Sequence, residues 1–305
     1  MGNQTSITEF ILLGFGDLPE LQIPLILLLL VIYIATVAGN VLIIVLVVAD
    51  RHLHSPMYFF LGNLSCLETC YTSSILPRML ASPLTGDRTI SFSGCLTQYY
   101  FFGSLVATEC LLLSVMSYDR YLAICNPLHY PARMSSRACL QLAGGGIIGS
   151  GISTLSISQL TFCGPSLIDH FFCDLIPLLK LSCNDPHLME TLAVALMLLF
   201  SFVPFLLILM SCIIATILRI PSTTGRQKAF STCSSHLIVV SIYYATLLTV
   251  YMFPTTDILS DFKKVLSVAY TVLTPLVNPL IYSLRNKEVQ EALRKACRKF
   301  KFGPC

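Results

Sequence analysis

The chain has 305 residues, of which 55% are apolar and only 11% are charged. Soluble domains carry roughly 25% charged residues, so this composition excludes an ordinary soluble protein. The formal net charge is only +3, and the charged residues are absent from long stretches rather than spread thinly along the chain. We therefore predict that lipid surrounds most of the chain.

Seven apolar stretches follow one another along the chain. Each reaches the ~20 residues that a helix needs to cross ~30 Å of hydrocarbon. Five contain no Asp, Glu, Lys or Arg, and the second and third contain one carboxylate each, Glu68 and Glu109. In chain order, we predict membrane-spanning helices 1 to 7 at 23–49, 56–80, 91–125, 138–160, 188–218, 226–253 and 264–284.

Two other architectures fit this pattern poorly. Turns of about ten residues leave too little polar sequence to cover seven buried helices of a soluble protein. A membrane barrel would alternate apolar and polar residues, whereas these apolar runs are continuous. We therefore predict an all-α membrane protein, a seven-transmembrane helix bundle that forms one domain over residues 1–305.

The lysines and arginines predict the orientation of the bundle. Of these 19 residues, fourteen lie at the connections between helices 1 and 2, 3 and 4, and 5 and 6, or in the C-terminal tail. By the positive-inside rule, residues 1–22 are extracellular, residues 23–284 form the bundle and the tail at 285–305 is cytoplasmic. We expect a multi-pass protein of the plasma membrane. Asn3 begins a glycosylation sequon, Asn3-Gln4-Thr5, on the predicted outer side.

The tail predicts one further helix. Apolar residues recur at helical spacing among lysines and arginines, namely Val289, Leu293, Ala296 and Phe300. This pattern is typical of a short amphipathic helix that lies along the cytoplasmic membrane surface.

The 13 cysteines divide by predicted compartment. Cys95, Cys163, Cys173 and Cys183 fall on the predicted outer face, where oxidation allows disulfides to form. Four cysteines allow three pairings, and their spacing does not choose between them. Three of the four lie in the long segment 161–187. A loop that disulfides hold in place usually covers another part of the protein.

Charged residues inside a membrane indicate function, because each costs about 2.5–3.5 kcal/mol to insert. Glu68 and Glu109 can both point into the bundle, where they would share a proton or hold a cation such as sodium. The alternative is that they are protonated and hydrogen-bonded to neighbouring helices. At the inner end of helix 3, Asp119-Arg120-Tyr121 places an acid beside a base. Such a charged pair is held together in one arrangement of the helices and released in another.

Helix 7 contains a predicted hinge. Pro275 and Pro279 leave backbone carbonyls without their helical hydrogen bonds. A buried Asn278 side chain can donate hydrogen bonds to such carbonyls. Tyr282 follows three residues after the second proline.

Four segments together resemble the signatures of the olfactory receptors, a branch of the rhodopsin-like G-protein-coupled receptors. They occur in family order and on the expected helices: LHSPMYFFL from Leu53, MSYDRYLAIC from Met116, KAFSTCSSH from Lys228 and PLVNPLIYSLRN from Pro275. With Gly39-Asn40 in helix 1 and HFFCD from His170 in the outer loop, the resemblance covers nearly the whole chain.

The resemblance implies disulfides and a signalling partner. It pairs Cys95 with Cys173 and Cys163 with Cys183, which would pin the long outer loop as a lid. It implies coupling to a heterotrimeric G protein of the stimulatory olfactory class, which raises cyclic AMP. The residues it assigns to coupling and activation are Asp119, Arg120, Tyr121, Lys228, Asn278, Pro279 and Tyr282. It also matches Glu68 and Glu109 to positions that line a possible sodium site, and no other cofactor is expected.

The resemblance further implies an odorant cavity between helices 3, 5, 6 and 7, under the lid. The residues that match its walls are Phe102, Gly103, Val106, Ala107, Tyr244, Leu248, Tyr251 and Thr271. Such an apolar wall favours small volatile organic molecules, held by excluded water and shape, with Tyr251 or Thr271 offering one directional hydrogen bond. Ordinary helix packing is the alternative interpretation of each of these residues.

The sequence departs from the family pattern in two helices. It contains no Trp, so the tryptophan usual in helix 4 is missing. Helix 5 has no Tyr between Pro204 and Ile220, and Ser211-Cys212 stands where the family usually has a Ser-Tyr pair. That tyrosine normally helps to hold the open state, so the resemblance supports the fold more strongly than signalling.

A proton- or sodium-coupled transporter that uses Glu68 and Glu109 is the main alternative function. A transporter predicts internal repeats and paired broken helices, and the sequence has neither. We expect neither catalytic residues, as in an enzyme, nor a nucleic-acid partner.

Overall fold

The structure is a computed structural model that describes residues 8–16, 19–125, 136–163, 165–183, 187–217, 240–252, 257–285 and 287–301.

Four long helices occupy the first half of the chain: α1 (Pro19–Ala49), α2 (Pro56–Thr85), α3 (Phe92–Cys125) and α4 (Ser136–Ser158). Pro56 begins α2 without the loss of a hydrogen bond, because N–H groups of a first turn have no acceptor within the helix. The helix ends at Gly86, whose φ of 73° gives the left-handed cap that favours glycine. These four helices follow predicted helices 1 to 4 closely.

Besides the short helix Leu175–Lys180, the described part of the second half contains four more helices. Two of them include a π-helical turn, an irregularity that frequently occurs at functional sites. The segments are α5 (His187–Met197, the π turn Leu198–Phe202, and Val203–Ile217), α6 (described over Val240–Met252), α7 (Asp257–Val268, the π turn Ala269–Leu273, and Thr274–Arg285) and α8 (Lys287–Lys301).

Helix α7 begins earlier than the sequence predicted. The predicted start was residue 264, because Lys263 and Lys264 ended the apolar stretch, but the helix begins at Asp257. Lys264 is held by ion pairs to Asp169 at 2.5 Å and Asp261 at 3.5 Å, so these charges lie within the first turns of the helix.

The outside of the bundle is apolar, as expected of a surface in contact with lipid. Large exposed side chains on α1 include Leu27, Val31 and Ile34. In water, so extensive an apolar surface would drive aggregation. Within the described chain, the segments long and apolar enough to cross a membrane are Gln22–Ala49, Phe92–Asp119, His187–Met210 and Asp261–Ile281, and Val240–Met252 is a shorter apolar helix.

Helix α3 lies at the centre of the bundle and packs against α2, α4 and α5. Its residues Phe102, Cys110 and Leu113 share one core with Tyr71 of α2 and Tyr244 of α6. Helix α1 packs at the side, against α2 and α7. Because of its central position, α3 contributes residues both to the cavity and to the buried polar groups described below.

A small sheet that the sequence did not predict covers one end of the bundle. Its strands are β1 (Glu9–Leu12), β2 (Thr89–Ser91) and β3 (Leu167–Ile168), in the order β2-β1-β3. Strand β1 is antiparallel to β2 and parallel to β3. Phe10 of β1 is fully buried, and its ring lies 6.0 Å from Phe92 and 5.5 Å from Phe162. Strands of two to four residues are too short to show a period-2 pattern in the sequence.

Helix α8 lies at the opposite end. Val289 and Ala292 are buried against Leu53 and Tyr58, which follow α1 in the chain. The hydroxyl of Tyr58 donates to Glu288 Oε2 at 2.7 Å. Because α2 has 30 residues and spans about 45 Å, the sheet and α8 are separated by the thickness of the bundle.

Candidate functional site

A cavity of about 790 Å³ lies beneath the sheet, and we call it the main cavity. Helices α3, α4, α5 and α6 and the loop after α4 form its walls. Apolar side chains form most of the wall, and the charged residues Asp174, Lys180 and Glu190 also line it. Among the lining residues are Phe102, Val106, Ala107, Phe200, Leu247 and Tyr251. A cavity of this size and lining suits a small organic molecule.

Five of the eight residues matched to the odorant cavity line the main cavity: Phe102, Gly103, Val106, Ala107 and Tyr251. The other three, Tyr244, Leu248 and Thr271, are not among its lining residues. The hydroxyl of Tyr244 donates to the carbonyl of Cys110 at 2.9 Å, and that of Thr271 donates to the carbonyl of Ser267 at 2.6 Å.

The cavity lies between α3, α4, α5 and α6, whereas the family resemblance implied helices 3, 5, 6 and 7. In the described part of the chain, no residue of α7 lines it. Glycines open the α4 side: a Cβ at residue 149 would stand 2.7 Å from a ring carbon of Phe200, so the ring of α5 packs directly on the α4 backbone. Gly145, Gly146 and Gly149 were visible in the sequence, but they did not indicate which neighbour they face.

We call the α3–α4 side of the main cavity, which Tyr99, Gly103, Ser150 and Ser153 line, its α4 branch. Ser150 lines it, and its Oγ lies 3.3 Å from the point where a Cβ on residue 103 would stand. Gly103 therefore leaves this hydroxyl accessible from the cavity. Beside it, the hydroxyls of Tyr99 and Ser153 form a hydrogen bond of 2.6 Å. Ser150 and Ser153 were not predicted as cavity residues, because single serines in a helix give no directional signal.

Two disulfides hold the loop over the main cavity. Cys95 is joined to Cys173, and Cys163 is joined to Cys183, with Cα atoms 5.5 and 5.6 Å apart. These are the pairings that the family resemblance implied. The backbone N–H of Cys173 also donates to Gln98 Oε1 at 3.1 Å, so the loop is fastened to α3 twice.

Asp174 joins the loop to the helices. It caps the short loop helix Leu175–Lys180 and accepts hydrogen bonds on Oδ1 from the backbone of Leu175 and from the hydroxyl of Tyr251, both at 2.8 Å. Tyr251 is in turn 3.2 Å from the hydroxyl of Tyr270, which links α6 to α7. Burial raises the pKa of the Asp174 carboxyl from 3.8 to about 6.

The two membrane carboxylates lie in a buried polar core. Asn278 of α7 donates to Glu68 Oε1, and the hydroxyl of Tyr243 donates to Glu109 Oε2 at 3.1 Å. Several buried oxygens here have no hydrogen-bond partner within the described chain: Glu68 Oε2, Glu109 Oε1, Asn40 Oδ1 and Asn278 Oδ1. Hard cations prefer oxygen ligands, so this donor set fits a sodium ion.

The predicted G-protein face is described only in part. Asp119 is buried near the end of α3, and the rings of Tyr118 and Tyr121 stack with centroids 6.1 Å apart. Pro279 lies within α7 and contacts the site of Gly39 on α1. The side chains of Arg120 and Tyr282, as well as Lys228 and Asn3 entirely, lie outside the described residues.

Apolar helices that face lipid, a roofed cavity of ligand size and a buried polar core define a multi-pass membrane protein of the receptor type. Comparison with known proteins gives the family. The family described as "Olfactory receptor" matches residues 29–299, and the chain belongs to it. It is therefore a seven-helix G-protein-coupled receptor that functions as an odorant receptor and not as an enzyme.

Individual relatives match over almost their full length. Mouse (Mus musculus) olfactory receptor 5AP2 is 48% identical over 96% of this chain and 94% of its own. Human (Homo sapiens) olfactory receptors 10A7 and 6B1 are each 50% identical over 96% of this chain, covering 95% and 96% of their own lengths. These matches give the transporter alternative no support.

Proposed function

We propose that a small, neutral, volatile odorant binds in the main cavity and that its binding activates a stimulatory olfactory-type G protein, which raises cyclic AMP. The observation that carries the proposal is the roofed cavity of about 790 Å³, closed from above by a loop that Cys95–Cys173 and Asp174 hold in place. Exclusion of water from such an apolar wall supplies most of the binding free energy. A ligand of about ten heavy atoms makes few contacts, so its affinity is modest.

Hydroxyl groups in the α4 branch orient the bound ligand. Ser150 offers a hydroxyl that both donates and accepts, next to the Tyr99–Ser153 pair. No charged side chain lines this branch among the described residues, which favours a neutral oxygen function such as an alcohol, an aldehyde or a ketone. The apolar remainder of the ligand then faces Phe102, Val106 and Phe200.

Signalling on the opposite side rests on the residues that the family pattern assigns to it. We propose that Arg120 contacts the G protein when the inner ends of the helices part, together with Asp119, Tyr121 and Lys228. Asn278, Pro279 and Tyr282 would rearrange in α7 as the inner ends part. The contact of Asn278 with Glu68 supports this role, since it ties the hinge region to α2.

A cyclic AMP assay in cells tests the proposal. A panel of volatiles is first screened on the wild type to find an agonist. Arg120→Ala should then keep the receptor detectable at the surface but remove the agonist-dependent cyclic AMP signal. Arg88→Ala, at the sheet end of the bundle, is the matched control and should retain the signal. Full signalling by Arg120→Ala would refute the assigned role.

We further propose that residues 1–22 are extracellular, that residues 285–305 are cytoplasmic and that the receptor acts in the plasma membrane. The separation of the sheet from α8 by the length of α2 supports opposite sides for the two ends. Asn3→Gln should remove one glycan, seen as increased gel mobility. Antibodies should reach a tag at the N-terminus on intact cells and a tag at the C-terminus only after the cells are permeabilised. Equal accessibility of the two tags would contradict the topology.

A further inference from the structure

A second cavity, of about 240 Å³, lies between the outer loop and the first turns of α7. We call it the outer cavity. It shares Asp174, Ile176 and Lys180 with the main cavity, so the two are neighbours separated by the loop helix. None of the residues matched to the odorant cavity lines it.

Two buried polar atoms of the outer cavity have no hydrogen-bond partner within the described chain: His170 Nδ1 and Ser267 Oγ. Both residues line the cavity, and they are 6% and 0% exposed. Burial and nearby Lys264 lower the pKa of His170 to about 3, so its imidazole is neutral at physiological pH. Buried polar atoms are nearly always satisfied by protein, water or ligand, so both atoms indicate a polar occupant.

Positive charge is in excess around the outer cavity. Lys180, Lys263 and Lys264 line it, against the two carboxylates Asp169 and Asp174. Lys264 is paired with Asp169 at 2.5 Å. The Oδ1 atom of Asp174 already accepts two hydrogen bonds, from Leu175 and Tyr251. With His170 neutral, the lining carries one net positive charge, which matches a monoanion.

Lys263 and Lys264 are only 7% and 9% exposed, so little water screens them. Interactions between charges are stronger when they are partly buried, and a hydrogen bond to a charged group is stronger than one between neutral groups. An anion in the cavity would therefore be held more firmly than one at an exposed lysine.

We propose that the outer cavity is a second ligand site, which binds a small organic monocarboxylate between Lys263, Lys180 and the hydroxyl of Ser267. Its volume limits the occupant to a short carbon chain. Val250 and Pro177 provide the apolar part of the wall for that chain. Because the two cavities share Asp174 and the loop helix, a bound carboxylate changes the roof under which the odorant binds.

Direct binding to the purified full-length receptor in lipid nanodiscs tests this proposal. The probe is sodium butyrate, and 1-butanol is its uncharged counterpart. The midpoint of thermal unfolding is followed against concentration, with total sodium held constant by sodium chloride. The wild type should show a saturable rise with butyrate in the millimolar range, and no such rise with butanol.

Three variants assign the rise to the outer cavity. Lys180→Gln combined with Lys263→Gln should weaken the apparent affinity for butyrate by at least about tenfold, since a hydrogen bond to a charged group is worth ~1.5–3 kcal/mol or tenfold and more in affinity. Ser267→Ala, which removes one hydroxyl, should weaken it less and keeps the test usable if the lysine variant fails to fold. Lys295→Gln on α8 is the matched control and should bind as the wild type does.

A flat wild-type curve, an equal rise with butanol, or an undiminished rise in the lysine and serine variants would each overturn the proposal. These results are separate from those for the odorant. Arg120→Ala should retain the butyrate rise even though it loses signalling, so either proposal can fail without the other.

Discussion

The hydroxyl of Tyr251 donates a hydrogen bond to Asp174 Oδ1 at 2.8 Å and so ties α6 to the loop over the main cavity. Tyr251 also lies 3.2 Å from the hydroxyl of Tyr270, whose backbone carbonyl accepts a hydrogen bond from Tyr71 at 3.1 Å. The loop, α6, α7 and α2 are thereby joined through one buried carboxyl. Movement of the roof and movement of α6 are coupled at this point.

The ionisation of Asp174 should make stability depend on pH. The folded state raises its pKa from 3.8 to about 6, so between these values the folded chain holds a proton that the unfolded chain releases. The resulting gain in the free energy of unfolding is absent above the pKa of the folded state and complete below the pKa of the unfolded state. It amounts to roughly 3 kcal/mol. Relative to wild type, Asp174→Asn should therefore lose stability as the pH falls from 7.5 to 4, in thermal unfolding of the purified receptor.

His170 gives the opposite sign and serves as the comparison. Its pKa is lowered from 6.5 to about 3, so the unfolded chain binds the proton first and wild-type stability falls as the pH drops through this range. His170→Gln should gain stability relative to wild type over the same interval. If both variants run parallel to wild type from pH 7.5 to 4, the two buried groups do not control acid stability.

The hydroxyl of Ser150 should set the preference for oxygenated odorants. Ser150→Ala removes one hydrogen bond worth about 1 kcal/mol, so the potency of an alcohol or ketone agonist should fall about fivefold in a cyclic AMP concentration series. Potency of a hydrocarbon of the same shape should hardly change. Ser156→Ala on the exposed face of α4 is the control, and an equal loss there would remove the argument for the branch.

Filling the space beside Ser150 should have a larger effect. A Cβ at Gly103 would stand 3.3 Å from the serine hydroxyl, so Gly103→Val places a branched side chain in the branch itself. We expect loss of response to agonists that depend on Ser150, with surface expression maintained. Unaltered responses would show that ligands do not enter this part of the main cavity.

Strand β1 should be required for a stable receptor. Phe10 is fully buried in the sheet layer, and loss of a buried Phe side chain typically costs ~3–5 kcal/mol. Phe10→Ala should lower the unfolding midpoint and the surface level measured by flow cytometry. Glu9→Ala changes the exposed neighbour in the same strand and should be neutral. Equal effects of the two changes would argue against a structural role for the buried ring.

Sodium should stabilise the buried polar core. The unpartnered oxygens of Glu68, Glu109, Asn40 and Asn278 supply a donor set for it. Replacing potassium by sodium should raise the thermal unfolding midpoint of the wild type, and Glu68→Gln combined with Glu109→Gln should remove that rise. A wild type that unfolds identically in both salts would leave protonated, hydrogen-bonded carboxyls as the explanation.

Most of the helical architecture was predictable, because continuous apolar runs without charge have few alternatives in a membrane. The start of α7 was not predicted, since Lys263 and Lys264 interrupt the apolar stretch and Asp169, the partner of Lys264, is distant in sequence. Strand β1 was missed for a similar reason. Its partners lie about 80 and more than 150 residues away, and four residues carry no period by themselves.

The candidate site was predictable on the α3 side and at Tyr251 of α6. Phe102, Gly103, Val106 and Ala107 follow from their place on one helix, whose facing residues the family pattern fixes. The α4 wall depends on how closely backbones approach at Gly149, which is a property of packing and not of local sequence. The outer cavity likewise forms where the loop meets α7, and no motif marks that meeting.

The sheet also orders events during synthesis. Strand β1 leaves the ribosome first, and at 5–20 residues per second roughly 10–30 s pass before β3 is made. Until then four helices have to enter the bilayer while β1 lacks its partner β3 and the ring of Phe10 lacks that of Phe162. Closure of the sheet is thus a late step of biogenesis, and quality control in the secretory pathway meets the incomplete sheet before any odorant does.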